Sequence, residues 1–401
     1  MSEKNNERRV YLDYSATTPV KEEVLQTMLP YFTESFGNPS SLYQVGQSSK
    51  SAIATARDQV ASLIGAQPSE VFFTSSGTEA DNWAFIGTAM WQRSKGKHVI
   101  TTQIEHHALL HSGDYLKKEG FDVTYLRVDK DGFISLEELE KSIREDTTVI
   151  SIMFANNEIG TIQPIAKIAE IAKKHGVIFH TDAVQALGNV HIDVKELGVD
   201  LLSISGHKIY GPKGIGALYI RKGLNLPSFL QGGGQESNKR PGTENLTGIV
   251  GFGKAAELAE KNLVKHIEEV RTLRDYFIEK VTGEIDDCHV NGSLESRLPG
   301  NANITFKYIE GEAILLLLDM KGISVSTGSA CSSASLTPSH VLTAIGVPME
   351  EIHGSIRFTI GDFTTKEDID YTIDVLKETV SKLRSISSLD ANTTWDVKMN
   401  K

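Results

Sequence analysis

The chain has 401 residues, of which 23% are charged, and a formal net charge of −11. That length accommodates two or three domains with a large buried core. The lack of any sustained run of Lys and Arg removes the electrostatic grip that nucleic acid needs. The longest apolar run in the C-terminal half, Ala313 to Leu318, is too short to span a bilayer, and the polar start MSEKNNERRV has no apolar signal core. The expectation is therefore small-molecule chemistry in the cytoplasm, without direct nucleic-acid or membrane partners. Two cysteines, Cys288 and Cys331, are too few for a disulfide framework, and neither has a metal-ligand spacing, so no metal is expected.

In chain order, Val10-Tyr11-Leu12 reads as a short strand that runs into the polar turn Asp13 to Pro19. A second turn-rich loop spans Phe36 to Ser41, because Gly, Asn-Pro and Ser disfavour regular structure. Ile53, Ala56, Val60 and Leu63 then recur at helical spacing and stop at Gly65. From residue 71 onward, seven apolar runs read as strands: 71–74, 99–101, 123–126, 149–154, 177–179, 201–204 and 217–220. Helical periods separate several of them. Ser135 with Glu138 forms a capping box before one helix, and Pro164 and Gly176 bracket another. Alternation with strands apolar throughout predicts a mainly parallel sheet covered on both faces. After about residue 250 the pattern changes. A charged helix over 255–281, strands near 304–306, 323–325 and 356–360, a helix over 312–320 and a final helix striped by Ile369, Ile373, Leu376, Val380 and Leu383 predict a smaller α+β domain.

Five polar clusters each follow a predicted strand. Residues 75–78, Ser-Ser-Gly77-Thr78, open a helix whose free N–H groups suit a phosphate, although an ordinary N-cap has the same composition. Glu105-His106-His107, Asn156-Asn157-Glu158 and Asp182-Ala183-Val184-Gln185 follow in turn, and each alone reads equally well as a surface turn. The fifth cluster, Ser205-Gly206-His207-Lys208, places a lysine where a buried strand stops and a glycine-studded turn begins. Parallel strands bring all five to one sheet edge, where open α/β sheets bind ligands. A lysine there can condense with a carbonyl, and an aspartate can keep a pyridine nitrogen protonated. With no Walker or dinucleotide fingerprint present, the convergence points to a phosphate-bearing carbonyl cofactor, pyridoxal phosphate, held as a Schiff base by Lys208.

The ordered set of motifs, from Tyr11-Leu12-Asp13-Tyr14-Ser15-Ala16-Thr17-Thr18-Pro19 and Gly37-Asn38-Pro39-Ser40 through the five clusters to Gly328-Ser329-Ala330-Cys331, resembles cysteine desulfurases of the NifS/IscS type, within the class V aminotransferases. The resemblance covers about residues 10 to 380. It implies a homodimer with the fold of type I pyridoxal phosphate-dependent transferases. A large cofactor-binding domain with a mainly parallel seven-stranded sheet would span 15–255. Residues 1–14 and 256–385 would form a small domain carrying a mobile cysteine loop at about 324–340, and 386–401 a tail. The reaction implied takes sulfur from L-cysteine, leaves L-alanine, and passes a persulfide to an iron–sulfur scaffold or another acceptor. By the same resemblance Lys208 is the cofactor lysine, His106 stacks on the ring as acid/base, and Asp182 and Gln185 partner the ring nitrogen and oxygen. Gly77, Thr78, Ser205 and His207, with Thr243 from the neighbouring subunit, hold the phosphate. Asn38, Asn157 and Arg357 face the substrate, and a guanidinium fork independently suits an α-carboxylate.

The cysteines differ in setting. Cys288 lies beside Asp286 and Asp287, which predicts a raised pKa, whereas Cys331 lies in a small-residue loop without acids, as a nucleophile needs. The rival readings are a selenocysteine lyase, a small-molecule aminotransferase on the same scaffold, and a non-enzymatic scaffold for sulfur-transfer partners.

Overall fold

The computed structural model describes residues 8–327 and 338–387. Twelve strands are found among them: β1 Val10–Tyr11, β2 Val71–Thr74, β3 His98–Thr102, β4 Asp122–Leu126, β5 Thr147–Ser151, β6 Ile178–Asp182, β7 Leu201–Ser205, β8 Gly216–Ile220, β9 Cys288–Val290, β10 Asn301–Phe306, β11 Ile323–Ser324 and β12 Ser355–Thr359. Strands β2 to β8 are the seven runs anticipated from sequence, and they form one sheet in the order β2-β8-β7-β6-β5-β3-β4. Strands β3 to β7 pair in parallel, while β8 runs against both of its neighbours, β2 and β7. β2 therefore points the same way as β7. Consequently the segments that leave β2, β3, β5, β6 and β7 all emerge at one edge.

The expected helix stops are present. Gly65 takes φ +68° after the helix Gln44–Leu63, and Ser135 accepts a hydrogen bond from the Glu138 N–H at the start of Leu136–Ser142. The long helix begins earlier than predicted, spanning Leu246–Glu284. Its first turns are glycine-rich, which masks the helical period. Packing explains the glycines: a Cβ at Gly253 would lie 2.5 Å from the Ala56 Cα of the facing helix, and one at Gly251 would lie 2.5 Å from Met28 Sδ. At about 58 Å this helix is long enough to serve two cores. Ile249, Phe252 and Ala256 pack in the core of the large sheet, whereas Val270, Phe277 and Val281 join Ile304, Phe306, Phe358 and Leu376 in a second core.

The second core lies against the antiparallel sheet β12-β10-β9, in which β9 was not foreseen, and it also takes in Val10 and Leu12. β1 pairs in parallel with β11, and Asp13 then bridges to Thr359 at the end of β12. The N-terminal turn thus stands between the two sheets. Asp362, just past β12, accepts from Lys21 at 2.5 Å and is also hydrogen-bonded to His266 of the long helix, while its N–H donates to Tyr210 Oη at 2.7 Å.

Burial alone would raise the Asp362 carboxyl, but hydrogen bonds and charge from His266 and Lys21 outweigh it and bring the pKa down to about 2 from 3.8. A depressed acid stabilises the fold above its unfolded pKa and loses that contribution as pH falls toward the folded value. Asp362→Asn is expected to lower Tm near pH 7 by about 2–4 °C, with the difference closing between about pH 4 and pH 2. An equal drop at pH 2 and pH 7, measured by calorimetry, would contradict this role.

Candidate active site

At the common sheet edge lies a cavity of about 460 Å³ whose walls include Thr78, His106, Asp182, Ser205, Lys208 and Arg357. Ser205 and Lys208 reach it from the end of β7, and each of the others from a different strand, helix or loop. After β7 the chain makes one tight turn, Gly206–Lys208, followed by Tyr210 at φ +64°. The Lys208 amine donates to the carbonyl oxygens of Ser15 and Ala16, the latter at 2.9 Å. The N-terminal turn is strapped to this lysine turn, since Thr18 Oγ1 donates to the His207 carbonyl at 2.9 Å and accepts from the Tyr210 N–H at 2.9 Å. Gln185 Nε2 donates to the same Ser15 carbonyl at 3.0 Å.

The floor beneath Lys208 is acidic. Asp182 ends β6, is buried, and accepts from the Val184 N–H at 2.9 Å. Burial pushes its carboxyl up to about 6, against the Val184 bond and the Lys208 charge, which pull it down. Asp81 shares this cavity wall, and burial first, then the charge of Asp182, drive its carboxyl well above the usual range. Its Oδ1 is buried without a hydrogen-bond partner. His180 on β6 is bridged by Ser151 Oγ at 2.8 Å and Ser203 Oγ at 2.9 Å, and burial brings it down to about 3, so it is neutral. Neither Asp81 nor His180 stood out in the sequence, because nothing local marks a buried acid on a helix or a histidine inside a strand.

Gly77 opens the helix Gly77–Asn82, which also carries Asp81 and is capped by Ser76. A Cβ at Gly77 would lie 2.6 Å from Val184 Cγ2, so glycine is what lets the helix start approach the turn after β6. The N–H groups of the first helical residues have no acceptor within the helix and face an anion favourably. His207 Nδ1 lies 3.2 Å from Thr17 Oγ1, and burial followed by the charge of Lys208 lowers its pKa to about 4. His106 is likewise brought to about 4 by burial and then Lys208. The Ala108 N–H donates to its Nδ1 at 3.2 Å, which fixes the proton of the neutral ring on Nε2.

Arg357 occupies the middle of β12 and is buried rather than a surface charge. Its Nη1 donates to the Asn157 carbonyl at 3.0 Å and its Nη2 to Asp13 Oδ1 at 2.8 Å, while Nε is buried without a partner. Asp13 is a site residue whose role sequence reasoning missed. Its sequence neighbours are only a polar turn, and its pairing with Arg357 spans 344 positions.

Two anticipated residues are elsewhere. Asn38 is exposed and spends Oδ1 on the Ser40 N–H at 2.9 Å, and Thr243 is exposed outside this chain's cavity. Cys331 falls in 328–337, outside the described residues. Cys288 does have a raised pKa, but the cause expected from sequence is corrected: burial dominates, Arg384 opposes it, and Asp286 and Asp287 add only smaller increments. Its thiol donates to the Ile285 carbonyl at 3.1 Å.

The site fits pyridoxal phosphate. The buried acids Asp81 and Asp182 suit a cationic ring nitrogen, the helix start at Gly77 suits a phosphate, and Lys208 lines the same cavity.

The family model of class V aminotransferases matches residues 10–372. A cysteine desulfurase IscS from Dictyoglomus turgidum is 56% identical over 380 residues, covering 95% of this chain and 96% of the relative. Among solved structures, a NifS-like protein superposes with a TM-score of 0.88 at 39% identity, covering 94% of this chain and all of that one. SspA in complex with cysteine superposes with a TM-score of 0.80 at 38% identity, covering 89% of this chain and all of that one.

His106 is expected to stay a neutral, Nε2-protonated imidazole from pH 5 to 8. Its ring ¹⁵N shifts test this, and an imidazolium signal appearing near pH 6.5, the ordinary histidine value, would contradict the burial argument.

Proposed function

The chain belongs to the class V aminotransferase family and is one of its cysteine desulfurases, and from that premise we propose how its residues divide the work. The observation that carries the assignment is the meeting of Lys208, Asp182, His106 and Arg357 around one cavity. Lys208, Asp182, Gln185 and His106 would hold the pyridoxal part of the cofactor. Gly77, Thr78, Ser205 and His207 would hold its phosphate, with Thr243 contributed across a dimer. When bound, the cofactor supplies a carbonyl for amines and an electron sink for the charge left when an α-proton departs.

L-cysteine is the substrate. Its α-carboxylate would take the unpartnered Arg357 Nε, with Asn157 beside it, while Asp13 holds the guanidinium in register. Asn38 would reach the substrate only if the loop it caps rearranges. Lys208, steered by the Ser15 and Ala16 carbonyls, would release its amine and take the α-proton. Burial raises the Asp182 carboxyl, and a cationic ring nitrogen held beside it would favour its charged form, while neutral His106 would donate from Nε2. The Cys331 thiolate then attacks the substrate sulfur, so that a carbon–sulfur bond breaks and a sulfur–sulfur bond forms. Cysteine and enzyme thiol become alanine and enzyme persulfide, in atom balance.

Dimerisation explains an exposed apolar band that one chain leaves uncovered. Leu25, Leu29, Phe32, Phe36, Leu42 and Tyr43 all face solvent, with Leu42 at 94% exposure. A band of this kind marks an interface, here with a second copy. We assign the reaction to the cytoplasm, whose reducing poise keeps a reactive thiol free, and an iron–sulfur scaffold protein as the sulfur acceptor. No helix among the described residues is long and apolar enough to cross a membrane.

Cys331→Ala is expected to keep bound cofactor yet to release no alanine from cysteine and to gain no sulfur by mass spectrometry. Alanine formed at the wild-type rate would overturn the thiol's role, and a keto acid product would favour an aminotransferase. Arg357→Lys loses the fork geometry and is expected to raise KM for cysteine roughly 10- to 100-fold, with kcat changing less. An unchanged KM would remove Arg357 from the substrate site.

A further inference from the structure

In sequence Cys331 lies between two described points where the chain is fixed, Ser326, which pairs with Arg357, and Ser339, which is linked through Glu158 to the Arg357 partner Asn157. On the N-terminal side, Ser326 and Arg357 exchange backbone hydrogen bonds of 3.2 and 2.6 Å, forming an isolated antiparallel bridge. On the C-terminal side, Ser339 caps the helix His340–Ala344 by accepting from the Leu342 N–H at 3.1 Å. Its hydroxyl donates to Glu158 Oε2 at 2.5 Å. Glu158 directly follows Asn157, whose carbonyl accepts from Arg357.

Both partners of this contact are buried, Ser339 at 7% exposure and Glu158 at 3%. Glu158 is clamped from each side: its N–H donates to Asn156 Oδ1 at 2.8 Å, and its carbonyl accepts from Asn301 and Asn303 of β10 at 3.1 and 3.2 Å. The next residue, His340, donates from Nε2 to the Glu105 carbonyl at 2.9 Å. Beneath them Val341, Leu342 and Ile345 pack with Ile104, Met153 and Ile159 from the ends of the large sheet. A carboxylate is an expensive way to hold a serine in such a place unless its position matters, since burying it uncompensated costs several kcal/mol.

We propose that Ser339 and Glu158 are a positioning pair that fixes the chain just after residue 337 next to Asn157, the Arg357 partner, and acts on sulfur transfer rather than on cofactor or substrate binding. The inference rests on the reading of Cys331 as the sulfur-accepting thiol. Eight residues beyond Cys331, the Ser339 anchor limits the thiol's reach to about 28 Å of extended chain. The bridge at Ser326 closes the other side.

The contact also has a charge dependence. Burial pushes Glu158 up to about 7, while the Ser339 bond and Arg357 draw it down. The other charged and titratable groups lining this cavity are Lys208, Asp182 and Asp81 together with His106, His107, His207 and His340, Glu105 lies behind His340, and Arg357 carries its own counter-ion in Asp13. As pH rises through 7, Glu158 ionises and the Ser339 bond becomes charge-assisted, hence stronger.

The test uses cofactor-loaded full-length enzyme mixed rapidly with L-cysteine, following the cofactor absorbance change and, in parallel, sulfur arrival on Cys331 by peptide mass spectrometry. Ser339→Ala is expected to leave the absorbance change and its half-saturating cysteine within about twofold, and to slow sulfur arrival roughly tenfold, the size of one lost charged hydrogen bond. Ser339→Thr keeps the hydroxyl and restores the rate. Glu158→Gln keeps an acceptor but cannot ionise, so the wild-type sulfur-arrival rate is expected to rise relative to that of Glu158→Gln as pH increases through 7. Should Ser339→Ala not fold, the Glu158→Gln pH profile and the Ser339→Thr rate carry the test. Wild-type sulfur arrival in Ser339→Ala, equal slowing of both signals, or a wild-type pH profile in Glu158→Gln overturns the positioning role alone. Sulfur found on another residue of the wild-type enzyme overturns the role of Cys331 and the positioning pair with it.

Discussion

Parallel hydrogen bonding from β3 to β7 is the constraint on which the site depends. Because every strand in that block points the same way, every loop that follows one arrives at the same edge. Strand β8 preserves the rule by running backwards between β2 and β7, which leaves β2 aligned with the rest and brings Gly77 and Thr78 to the same cavity as Lys208. The smaller sheet then closes the cavity from above. Its central contribution is Arg357, which the turn holding Asp13, Ser15 and Ala16 ties to the lysine.

Burial at that edge sets the charges. His106, His180 and His207 are all driven toward neutrality, whereas Asp182, Asp81, Glu105 and Glu158 are all driven toward protonation. Both trends have the same first cause, the removal of water from the charged form. A pocket of this kind is electrostatically unfinished. The proposed cofactor and substrate would settle it, with a cationic ring nitrogen beside Asp182, a phosphate at the start of the Gly77–Asn82 helix and a carboxylate at Arg357.

Much of this arrangement was legible in the sequence. All seven strands of the main sheet appear as apolar runs, and Lys208, Asp182 and His106 sit at or just past strand ends in a recognisable order. Long-range pairings were not legible. Nothing near Asp13 announces Arg357, and nothing near Glu158 announces Ser339, because the partners of the two pairs are 344 and 181 positions apart in sequence. Backbone acceptors such as the Ser15 and Ala16 carbonyls leave no residue-type signal at all. Asn38 shows the opposite limit: its motif is recognisable, yet in this chain its side chain serves its own turn. The early start of the Leu246–Glu284 helix was hidden because close packing against Ala56 and Met28 demanded glycines, which weaken the periodic signal.

The central claim is that Lys208 is the amine that tethers the cofactor at this edge. Borohydride reduction of the loaded enzyme, followed by peptide mapping, tests it most directly. The account predicts that the reduced pyridoxyl group is recovered on Lys208. Recovery on Lys213, which donates to the Thr18 carbonyl at 3.0 Å only one turn away, or on any other lysine, would contradict it.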